Sequence, residues 1–283
     1  MNELLKEIEY NNGDFPKEQL EEIISRREEF IPELLDILKD AKENYEKIIE
    51  EPEYFGHIYA SFLLAQFREK QSFKLIVDLV SLPDEIPDDM FGDLLTEELH
   101  KILASVCGGD TQPIKRLVED STVNEYVRCA AIKSFIVLLG EGVISQSEVI
   151  EYYKSLYEGK LERELSQVWN ELICSSCEAG PTELYKYMKK AYEDELVEED
   201  LISLEDVDDA IKIHDKEKFP NLINEGYAFI KDTIEELGCW VCFKKESDKP
   251  KPHFMTGGNK GNKDKKKNKK KQSKATKKKQ RKK

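Results

Sequence analysis

The sequence predicts an all-α protein, an α-solenoid of stacked helix pairs followed by a disordered basic tail. Three observations predict it. Apolar residues recur at steps of three and four, with few strand signals. Paired stripes of this kind, each pair joined by a short turn, return roughly every 30–40 residues. Charge is also split sharply between body and tail. Of the 283 residues, 36% are charged and 39% hydrophobic. That balance suits a thin structure, which has more surface per residue and needs fewer buried side chains than a thick globule.

The elements follow in order. Ile23, Ile24, Phe30, Leu34, Leu35 and Leu38 keep helical spacing, and Pro16 and Pro32 fall where a helix can begin. Residues 50–56, EEPEYFG, read as a break. Ala60, Leu63, Leu64 and Phe67 then form one stripe and Phe73, Ile76, Val77 and Val80 a second, with REKQS as the turn between them. The two stripes face each other as an αα-hairpin.

The next pair sets Leu95, Leu99, Ile102, Leu103 and Val106 against Ile114, Leu117 and Val118 across GGDTQP. Residues 126–145, YVRCAAIKSFIVLLGEGVIS, are the least polar stretch and open the third pair. Val127, Ala130, Ala131, Ser134, Phe135 and Leu138 line one side, answered by Val149, Ile150, Tyr153 and Leu156. In the fourth, Leu165, Val168, Leu172 and Ile173 precede CEAGPTE, and Leu184, Tyr187, Met188 and Ala191 complete the pair. No pair can bury its stripe alone, so neighbours must stack. The small residues Ala60, Ala130 and Ala131 allow close helix approach. The last helical segments are expected at 203–213 and 218–237, which closes an acidic repeat domain over residues 1–243.

Five stretches carry a family likeness: HIYASFLLAQFREKQSFKLIVDLVSLP, GDLLTEELHKILASVCGGD, EYVRCAAIKSFIVLLGEG, LERELSQVWNELICSSCEAGPTELYKYMKKAYEDELV and IEELGCWVCF. In their order and spacing the chain resembles the bacterial family called domain of unknown function 1186, over about residues 15–243. The resemblance implies HEAT-like helical repeats and no established activity. Some relatives end in a cysteine-rich zinc module like that of the SecA export motor. This chain has no cysteine after Phe243, so the module is not carried over.

Candidate chemistry is sparse. No Gly-rich phosphate loop, GxSxG elbow or HExxH occurs, and neither a catalytic residue nor a cofactor is assigned. Two CxxC pairs, Cys174/Cys177 and Cys239/Cys242, could together supply four thiolates to tetrahedral zinc. Sixty-one residues separate the pairs, far beyond a zinc-ribbon gap, and both lie in apolar helical contexts that suit plain core packing. Glu97 and His100 have the i, i+3 spacing of carboxylate-bridged metal helices, with Asp93 nearby. A second such helix is missing, and Asp93 or Thr96 as an N-cap explains the same letters. His57 and His214 lack partner spacing. Arg128, beside Tyr126, fits an ion pair to an acid of the adjacent repeat better than a grip on a ligand carboxylate.

The tail gives the strongest functional signal. Residues 244–283 carry 19 basic and 3 acidic side chains, a net of +16; with −14 overall, residues 1–243 hold −30. Lys265, Lys266, Lys267, Lys269, Lys270, Lys271, Lys277, Lys278, Lys279, Arg281, Lys282 and Lys283 are the expected contacts to RNA, ribosome or another polyanion. Their binding is expected to be non-specific and salt-sensitive, or they mask the acidic body. Without an n-region, an apolar leader or a run of about 20 apolar residues, the chain is expected to be cytoplasmic, with free thiols. The expected function is a non-enzymatic scaffold that holds a protein or peptide in its repeat groove. The alternative is a metal or hydrolytic site near Asp93, Glu97 and His100.

Overall fold

The computed structural model describes residues 2–214, 222–223 and 226–243. The Lys-rich segment from Lys244 onward, with all twelve basic positions named above, lies outside the described residues. Sixteen α-helices and no strands are found among the described residues. They are α1 (Glu3–Ile8), α2 (Lys17–Ser25), α3 (Arg27–Glu43), α4 (Tyr45–Glu50), α5 (Gly56–Gln66), α6 (Gln71–Val80), α7 (Ile86–Phe91) and α8 (Leu94–Glu97). There follow α9 (Leu99–Val106), α10 (Gln112–Glu119), α11 (Glu125–Gly140), α12 (Gln146–Ser155), α13 (Gln167–Ala179), α14 (Pro181–Glu193), α15 (Leu204–His214) and α16 (Thr233–Gly238). No helix among the described residues is long and apolar enough to cross a membrane.

Helices stand at all four positions where the sequence predicts pairs, α5 and α6, α9 and α10, α11 and α12, α13 and α14, though α10 packs chiefly on α11 rather than on α9. Local signals set their ends. Asn124 caps α11, its side-chain oxygen accepting from the Tyr126 N–H at 2.9 Å. Ser145 and Glu148 form a reciprocal capping box on α12. Pro181 opens α14, where its missing N–H costs nothing.

The first helices of successive pairs are neighbours: α5 packs on α9, α9 on α11, and α11 on α13. Second helices follow suit, α6 beside α10 and α12 beside α14. The central helices are therefore apolar on every side. In α5 every residue from Gly56 to Ala65 is buried, and α11 buries eleven residues including Arg128.

Three expectations change. Pro32 lies inside α3 rather than at its start, because the chain breaks earlier, at Arg26 (φ −114°). The helix expected through Leu95–Val106 is split at Glu98 (φ −130°), whose carboxylate pairs with Lys101 at 3.0 Å. Leu165 precedes α13 and is 57% exposed, so it takes no part in that stripe.

The fourth change positions the site. Of the expected helix 218–237, only α16 is helical among the described residues. The chain before it runs across the first helices instead, and their side chains take up its backbone donors. Phe229 N–H donates to Glu141 (3.0 Å), Ile230 N–H to the Ser105 hydroxyl (3.0 Å) and Thr233 N–H to Gln66 (2.8 Å). With those donors satisfied from outside, no helix is required there. Ile230, Thr233 and Leu237 are fully buried in the process. Lys101 anchors Glu236 at 3.0 Å. The segment then brings α16 against α5 and α2, and Phe243 against Phe15 at 5.2 Å between ring centroids.

Candidate functional site

This return segment ends as one wall of a hollow of about 530 Å³. The opposite walls come from the loop before α5, from α7 and from α8. The loop is shaped by Gly56. A Cβ there would stand 2.5 Å from the Tyr54 hydroxyl oxygen, so only glycine lets the tyrosine lie over the start of α5. Tyr54 stacks on the His57 ring (5.7 Å, 6° between planes), and Phe91 meets that ring edge-on at 5.1 Å. Trp240 packs edge-on against Phe62 and Phe55. A belt of aromatic surface results, and three carboxylates, Asp89, Asp93 and Glu97, share the lining.

His57 is 1% exposed. Its Nε2 lies 2.7 Å from the Met90 carbonyl, which can only accept, so the ring proton sits on Nε2. Nδ1 is then a bare lone pair, buried and without a partner among the described residues. Burial lowers the His57 pKa to about 4, against a smaller raising effect of the Met90 contact, and the ring is neutral. Burial also pushes the Tyr54 phenol up to about 12, with the Glu9 charge adding to it.

A second hollow, about 260 Å³, lies beyond α8 and is lined by Tyr126, Cys129, Lys133, Glu171 and Cys174 among others. Cys174 reaches the surface within this recess. Burial pushes the thiols of Cys174 and Cys177 up to about 12, and Cys129 well above its ordinary value. Protonated thiols are poor nucleophiles and poor metal ligands.

The model of a family described as a protein of unknown function, DUF1186, matches residues 1–244. The chain belongs to the DUF1186 family. It is 38% identical over 241 residues to an uncharacterized protein of Chlamydia muridarum (strain MoPn / Nigg), covering 84% of this chain and 95% of that one. An uncharacterized protein of Chlamydia trachomatis serovar D (strain ATCC VR-885 / DSM 19411 / UW-3/Cx) is 37% identical over 238 residues, covering 84% and 94%. No solved structure matches.

In this DUF1186 protein the sequence-derived candidates part company. Cys239 and Cys242 line the large hollow with Asp93 and Glu97, while Cys174 and Cys177 lie on α13. The four thiols do not form one site, and no group of three or more His, Cys, Asp or Glu is placed to hold a metal among the described residues. Glu97 and His100 do not share a face either. The break at Glu98 leaves Glu97 exposed and His100 buried, its pKa held well below the ordinary value by burial and by Lys133 and Lys101. Asp93 occupies the N-cap position of α8 without a side-chain cap bond, and Thr96 donates to the Asp93 carbonyl instead.

Arg128 does pair with an acid, Glu162, in the segment between α12 and α13. Its guanidinium donates to both oxygens of Glu162, at 2.5 and 2.7 Å, and its Nε donates to the Val118 carbonyl at 3.0 Å. His214 closes α15. Reading the sequence missed Tyr54, His57 and Trp240 as site residues. The signal available was the clustering of Tyr54, Phe55, Gly56 and His57 at a helix start, which reads equally as a chain break.

Proposed function

We propose that this protein is a non-enzymatic, HEAT-like α-solenoid that holds a peptide segment of a partner protein, with the Lys-rich tail adding polyanion affinity. The observation that supports the reading best is the large hollow. It is roomy and partly apolar, and the start of α5, the first helix of the first pair, forms part of its wall.

Val241 lines the hollow yet is 55% exposed, which makes it a site where the cavity can be filled without disturbing the core. Peptides selected from a random display library on the full chain are expected to lose about tenfold or more in affinity for Val241→Trp. If no peptide is enriched, or if enriched peptides ignore that substitution, the groove reading fails. For the tail, removal of residues 244–283 is expected to abolish salt-sensitive retention on immobilised RNA. Unchanged retention would refute its role.

A further inference from the structure

We propose that the hollow is an arginine pocket: it takes the guanidinium side chain of a partner peptide, a reading that rests on the groove function above. Three carboxylates line it, from α7 (Asp89), from the turn after α7 (Asp93) and from α8 (Glu97), and no lysine or arginine lines it. None of the three has an ion-pair partner among the described residues, unlike Asp78 and Asp194, which each meet two cations.

The same hollow is lined by the rings of Tyr54, Phe55, Phe91 and Trp240. Aromatic faces attract cations, and a planar guanidinium stacks on them while its fork of five donors reaches carboxylates. His57 adds an independent mark of a ligand. Its Nδ1 lone pair is buried and unpartnered among the described residues, and the Met90 bond fixes it as an acceptor. Such a group is costly to leave unmade, and His57 is one of the residues that line the hollow.

Other occupants fit worse. An anion would face three carboxylates. A wholly apolar side chain would bury them without a partner. A divalent ion would need three or more ligating groups drawn together, and the described residues contain no such cluster. Arginine is preferred to lysine because stacking and bidentate pairing both require the planar fork, which a compact ammonium lacks.

The test uses calorimetry on the full chain with blocked pentapeptides of sequence Gly-Leu-X-Leu-Gly, where X is arginine, lysine or citrulline. Free agmatine is the small-molecule arm. The arginine peptide is expected to bind on the order of tenfold more tightly than the citrulline peptide, which has the same shape without the charge. Asp93→Asn combined with Glu97→Gln, both exposed and so harmless to folding, is expected to erase that difference. Equal binding of the arginine and citrulline peptides, or no binding of the arginine peptide, overturns the inference. Agmatine binding as tightly as the peptide overturns its assignment to a peptide. Library peptides that remain sensitive to Val241→Trp while showing no preference for charge would leave the groove function standing and remove only the arginine pocket.

Discussion

Replacing Glu162 by glutamine isolates one polar network where α10, α11 and the start of α13 meet. Arg128 is 3% exposed, so its charge depends almost wholly on Glu162, whose side chain is 31% exposed. The glutamate accepts two guanidinium bonds, and its backbone carbonyl accepts the Trp169 indole N–H at 3.0 Å. The network therefore ties α11 to the start of α13 and, through Val118, to the end of α10. Breaking a fully buried pair from one side costs about 3–5 kcal/mol, because the other charge is stranded. Water reaches Glu162, and the amide oxygen keeps one bond, so the expected loss is about 2–3 kcal/mol. For a body of this size that is roughly 4–12 °C in Tm. Urea unfolding of wild type, Glu162→Gln, Arg128→Met and the double variant completes a cycle, with an expected coupling of about 2 kcal/mol. A coupling below about 0.5 kcal/mol would refute the claim that this pair ties α11 to the start of α13.

Two further outcomes follow from the hollow. Gly56→Ala places a methyl 2.5 Å from the Tyr54 hydroxyl oxygen, so the ring must leave its stack on His57. The expected cost is about 1–3 kcal/mol by denaturant titration, with weaker binding of groove peptides; an unchanged midpoint would contradict the packing described. His57 makes the protein acid-sensitive. Its folded pKa, about 4, lies below the ordinary 6.5, so the unfolded chain takes up the proton first as pH falls. Its contribution to stability is complete above about pH 6.5 and is lost toward pH 4, with roughly 2 kcal/mol gone by pH 5. His57→Gln is expected to flatten the pH 7-to-5 slope by that amount, and an identical slope would count against the neutral, buried ring.

Much of the body was legible because helical spacing and turn chemistry are local. The turn at Gly108 (φ 58°) and Gly109 (φ 90°) separates α9 from α10 where the glycines stand in the sequence, and the Ser145–Glu148 box is readable four letters at a time. Arg128 was legible as a paired cation because a charge inside an apolar stripe must find a partner. The return segment was not. Ile230, Thr233 and Leu237 have helical spacing, but the donors at Phe229, Ile230 and Thr233 are taken by Glu141, Ser105 and Gln66, which lie 88, 125 and 167 residues away in sequence. Nor was the hollow. Its walls meet only after the chain has doubled back, and nothing in CWVC states that Trp240 will stand beside Phe62.

That doubling back has a consequence for the order in which the protein matures. A nascent chain emerges N-terminus first, so α2 and α5 are made long before the stretch that covers them. Until residues 229–243 arrive, Gln66 and Ser105 lack the backbone donors they accept, Phe15 lacks Phe243, and Phe55 and Phe62 lack Trp240. Translation that stops short of residue 229 would release a chain with sticky early helices, a substrate for chaperones or proteases. Closure over so wide a sequence interval is slow, so a truncated product is expected to betray itself at this seam.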